Sequence, residues 1–98
     1  MSEAELRTIR ATALLDEERA NGYRAAFRSA VDRLTMFAAL VAGDRGLTRD
    51  HEVALRTAMV GLVADMQHAG LPFAVQEELT AHAKTATEEA LARLGRQK

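Results

Sequence analysis

Three histidines and their acidic neighbours offer this chain its best chance of chemistry. His68 follows Asp65 by three residues and His82 follows Glu78 by four, so each pair shares one face of a helix. A carboxylate–histidine pair can ligate a metal or relay a proton. A helical di-metal centre takes further carboxylates and a repeated Glu-x-x-His, and the chain has no such repeat. Both pairs therefore read as solvated contacts on a helix surface. The third histidine sits in Asp50-His51-Glu52. That trio could serve as an acid–base cluster. Two of its members are acids at an expected helix start, however, where they complement the helix dipole. Cysteine is absent, which removes disulfides, thiolate chemistry and cysteine metal sites. No catalytic, cofactor-binding or metal-ligating residue is assigned on these grounds, and no cofactor is expected.

Anion recognition is the next chemistry to weigh. Arg24 and Arg28 lie one turn apart with Arg33 beyond, but acids are interleaved along the same helix and no aromatic platform accompanies them. Gly43-Asp44-Arg45-Gly46 lacks the lysine and hydroxyl pattern of a phosphate loop and reads as a helix connector. Thirteen basic residues against fourteen acidic ones give a formal net charge of −1, which speaks against broad binding to nucleic acid or anionic membrane. Weak nucleic-acid binding is the third of three functional readings. Residues 66–76, the longest stretch without a formal charge, contain Gly70 and Pro72 and are too few to cross a bilayer. Met1-Ser2-Glu3-Ala4-Glu5 is unlike a signal peptide, so a cytoplasmic protein without a membrane partner is expected.

The elements that would carry these residues are all helices. Ser2 with Glu5 forms a capping box, and a helix is expected over about 3–42. Gly43 and Gly46 supply the turn that ends it. Thr48 caps a second helix, about 48–69, and Gly70-Leu71-Pro72 ends it in a Schellman turn and starts a third, about 73–95. Ninety-eight residues make a single helical domain, 1–98. Asn21-Gly22 admits two readings. It is a hairpin between shorter helices in a four-helix monomer, or a weak point inside one helix costing about 1 kcal/mol. The apolar register favours the second, because it crosses these residues unbroken.

That register is the strongest pattern in the chain. Leu6, Ala13, Ala20, Phe27, Leu34 and Val41 stand seven apart, and Ile9, Asp16, Tyr23, Ala30 and Phe37 form a companion row. Forty residues of helix span about 60 Å, far more than a domain of this size can wrap. Two shorter helices folding back cover its C-terminal half and leave an N-terminal arm, about 3–22, with bare apolar residues. An antiparallel homodimer, a helical bundle of two copies, would cover them. Its expected interface comprises Leu6, Ile9, Ala13, Asp16, Ala20 and Tyr23. In a pairing centred close to Ala13, Glu3 meets Arg24, Arg10 meets Glu17 and Glu5 meets Arg19 of the other copy. A further apolar stripe on the second helix, Val53, Val60 and Val63, is the expected face for another protein, of unknown identity. The leading functional reading is thus a small protein–protein interaction module, an adaptor, regulator or inhibitor on a dimeric helical scaffold.

The layout of one forty-residue helix and two of about twenty resembles the small all-helical chorismate mutases. Arg7 and Arg24 carry the spacing of two substrate-binding arginines on that family's first helix. The resemblance implies a dimer paired through its long first helices and an enzyme binding a dianionic substrate; this is the alternative reading. The chain departs from the family pattern at Thr35, where a further cation is expected, at His51-Glu52 in place of an Arg-Glu pair, and at Gln97, which lies too late for the family's glutamine.

Overall fold

The computed structural model describes residues 2–96 and holds three helices, α1 (Glu3–Ala42), α2 (Arg49–Gln67) and α3 (Phe73–Leu94), with no strand among the described residues. Gln97 lies outside them. α1 starts where Ser2 stops it from fraying: the Ser2 hydroxyl accepts from the Glu5 N–H at 3.2 Å. The helix runs through Asn21-Gly22 without a break. Gly43 ends it at φ 50°, and Gly46 turns the chain at φ 88°. At Thr48 the hydroxyl accepts from the His51 N–H at 3.1 Å, and His51 Nδ1 accepts in return from the Thr48 N–H at 3.4 Å. α2 ends two residues sooner than expected, because His68 and Ala69 bond to the third carbonyl back and tighten the last turn. Gly70, at φ 73°, reverses the chain. Pro72 then caps α3, its carbonyl accepting from Val75 and Gln76.

α2 runs back along α1 and α3 returns beside both. The level of the α2–α3 turn is fixed by Arg19, whose Nη2 donates to the Gly70 carbonyl at 3.0 Å. At the other end the Leu47 N–H donates to the Gly95 carbonyl at 3.0 Å and ties the α1–α2 loop to the end of α3. Between these ties lie the buried apolar residues: Ala20, Phe27, Val31, Ala38 and Ala42 of α1, Leu55, Met59 and Met66 of α2, Val75, Leu79, Ala83 and Ala90 of α3, with Leu47 and Leu71 from the loops. Small residues on α1 and α3 let the helices approach closely.

The molecule is a rod, 68 × 17 × 15 Å, with a radius of gyration of 18.2 Å, against about 13 Å for a compact domain of this length. The excess length is the N-terminal part of α1. Every residue from 2 to 19 is exposed, so about 25 Å of helix stands clear of the three-helix bundle.

Candidate functional site

The arm is shaped by the same pattern that builds the core. In a straight helix eleven residues make almost three whole turns, so residues eleven apart lie on one line. Ala20, Val31 and Ala42 are buried on such a line. Ile9 is its continuation into the arm, and it is 53% exposed. Asp16 continues the parallel line of buried Phe27 and Ala38, and Leu6 and Ala13 flank Ile9. The core-facing stripe of α1 therefore runs on past the α2–α3 turn with nothing among the described residues to cover it.

The residues assigned to a dimer interface divide at that turn. Glu3, Leu6, Ile9, Arg10, Ala13, Asp16 and Glu17 are exposed on the arm. Ala20 is buried and Tyr23 half-buried against the chain's own core. Arg24 donates through Nε to Glu78 Oε2 at 3.1 Å and through Nη1 to Asn21 at 2.7 Å. Arg28 reaches the same Glu78 oxygen at 3.4 Å. Glu3 pairs with Arg7 one turn on, at 3.3 Å. Of the three inter-arm ion pairs read from sequence, only Arg10 with Glu17 uses two side chains that bond to no other element among the described residues.

A second apolar face was not legible in the heptads. A seven-residue row slips about 20° per repeat around a straight helix, so the row that starts at Leu6 has rotated by about 100° at Val41. Phe37 and Val41 are consequently turned away from the core, 69% and 49% exposed, and join Met36 and Leu40 on the outer side of α1. Residues 34–43 carry no charge. Beside this face a shallow groove of about 210 Å³ separates α1 from α2, lined by Leu34, Phe37 and Val41 on one side and His51, Ala54 and Ala58 on the other.

The third surface lies between α2 and α3. A groove of about 410 Å³ is floored by Met59, Val63 and Ala83 and edged by Val60, Lys84 and Thr87. Two residues of the expected partner face, Val60 and Val63, line it; Val53 is exposed outside it. One end is closed by Arg56, which bonds Glu88 at 2.9 Å and Glu52 at 3.4 Å. The hydrogen bond that Arg56 donates to Glu88, ahead of the one it donates to Glu52, raises its guanidinium pKa above the ordinary value.

The titratable clusters take structural parts. His51 is a helix cap, and Glu52 beside it is held by Arg56 and by Arg96, at 3.4 Å each. His68 Nδ1 lies 2.8 Å from the Ala64 carbonyl, one turn back on its own helix. Glu78 serves Arg24 and Arg28, while His82 Nε2 is buried without a partner. No cluster of three potential metal ligands occurs among the described residues. Neither groove is lined by Arg7 or Arg24, and both arginines are engaged by carboxylates. No helix of the described residues is long and apolar enough to cross a membrane. Comparisons with protein-family models, with curated proteins and with solved structures gave no match.

Proposed function

We propose that this chain is a protein–protein interaction module whose working unit is an antiparallel pair of copies joined through their N-terminal arms. One observation carries the reading: an exposed helix of about 25 Å continues the core-facing stripe of its own bundle. A second arm lying along that stripe takes the place that α2 and α3 hold farther down α1.

The α2–α3 turn limits how far the second arm can slide. A pairing centred close to Ala13 would bring Glu3 of one copy to the level of Arg24 of the other, past the turn held by Arg19. A pairing that stops at the turn is centred near residue 11, the middle of the free arm. Ile9 then faces Ala13 of the other copy, and Glu3 and Glu5 approach Arg19. Each exposed ion pair contributes at most about 1 kcal/mol, so the charges select register and the apolar stripe supplies affinity. Leu6 and Ile9, already partly covered, give on the order of 1 kcal/mol each per copy. Association costs several kcal/mol, so a contact of this size makes a weak, concentration-dependent pair. The α2–α3 groove, with Val60 and Val63 on its wall, is the surface for another protein.

Single-cysteine crosslinking tests this reading. A mixture of Ile9→Cys and Ala13→Cys chains should form a mixed disulfide under mild oxidation, more readily than Ala13→Cys forms one with itself. Absence of any crosslink, both from the mixture and from Ala13→Cys alone, rejects arm pairing; efficient self-crosslinking of Ala13→Cys alone restores the pairing centred on that residue.

A further inference from the structure

Of the seven exposed large apolar side chains outside the arm among the described residues, four lie together, and Val53, Val60 and Phe73 lie elsewhere. Met36, Phe37, Leu40 and Val41 occupy consecutive turns on the outer side of α1, and α2 and α3 pack on the opposite side. The helix from 36 to 42 is thus apolar all round, a pattern that belongs to a helix covered on every side. Arg33 and Asp44 bound the uncharged stretch, and neither has an ion-pair partner among the described residues.

We propose that this face is a second self-association surface, occupied by the same face of another copy in antiparallel orientation. Its two-fold axis passes between Ala38 and Ala39. The charge pattern argues for a second copy over an unrelated protein. Arg33 and Asp44 lie equally far from that axis, so each arginine meets the aspartate of the other chain, twice by symmetry. About the same axis Phe37 meets Leu40 and Met36 meets Val41, so every large apolar side chain finds another. The contact is isologous, with identical patches self-complementary about one axis. It lies at the end of the rod remote from the arm and does not depend on arm pairing. Where both contacts form, the chain carries two self-complementary faces, and assemblies grow beyond a dimer.

Sedimentation equilibrium separates the two contacts. In a chain carrying Leu6→Asp and Ile9→Asp, which disables the arm, association to twice the 10.7 kDa chain mass should persist. Adding Phe37→Asp and Leu40→Asp, on side chains that face solvent, should abolish it while helical circular dichroism is retained. Arg33→Asp alone should weaken the arm-disabled dimer about tenfold, and Asp44→Arg in the same chain should restore it. A monomeric arm-disabled chain at about 200 µM, or a mass indifferent to Phe37 and Leu40, overturns the proposal. So does failure of the Asp44→Arg rescue. A wild-type mass unaffected by Leu6→Asp and Ile9→Asp would instead count against arm pairing and leave this face standing.

Discussion

Gly22→Ala reads out the continuity of α1 through the sign of its effect. Gly22 sits near the middle of the forty-residue helix, exposed, and its φ is not positive. A methyl group added there meets no atom within 4 Å. The substitution thus changes only backbone freedom and helix propensity, two views of one effect worth about 0.5–1 kcal/mol in favour of alanine. For a chain of this length such a gain raises the melting temperature by about 2–8 °C. Had Asn21-Gly22 been a hairpin requiring left-handed backbone at the glycine, alanine would have cost about 1–2 kcal/mol. Urea unfolding followed by circular dichroism, at fixed protein concentration because association adds to stability, measures the difference. Gly61→Ala in α2, equally free of neighbours, is a positive control and should stabilise by a similar amount. A loss of stability for Gly22→Ala alongside a gain for Gly61→Ala would refute the single-helix reasoning.

Other expected outcomes follow from individual contacts. Leu79→Ala removes a side chain that is 0% exposed at the centre of the bundle; it should cost about 2–5 kcal/mol in urea unfolding, a large share of a total near 5–15 kcal/mol. Thr48→Ala removes the hydroxyl that holds the first turn of α2 and should cost about 1 kcal/mol in the same assay. Gly70→Ala places a side chain at φ 73° and should destabilise by about 1–2 kcal/mol, the opposite sign to Gly22→Ala.

Most of the fold was legible because it is written in local signals. Ser2, Gly43, Thr48, Gly70 and Pro72 each act within a few residues, and each marks a helix end or turn where the sequence places it. The unbroken apolar phase across Asn21-Gly22 carried the single first helix. Less legible were the consequences of packing. A heptad row and a buried face coincide only over a few turns of a straight helix, so Val41, in phase with Leu6 on paper, and Phe37, in phase with Ile9, end at the surface. The uncharged run 34–43 was the available signal for that outer face. Arg19 and Arg24 looked free for a second chain because nothing local betrays their bonds to Gly70 and Glu78, more than fifty residues away. His51 had no legible part, the dipole accounting only for its two acidic neighbours, because histidine is an uncommon reciprocal partner in a capping box.

Small-angle X-ray scattering tests arm pairing most directly. The measurement uses the chain with Phe37→Asp and Leu40→Asp, so that only the arm contact remains. One chain is 68 Å long. Two joined antiparallel through 25 Å of shared arm should extend to about 110 Å, with twice the mass of one chain. A maximum dimension near 68 Å, whether from single chains or from a side-by-side parallel pair, would contradict the antiparallel arm-paired unit.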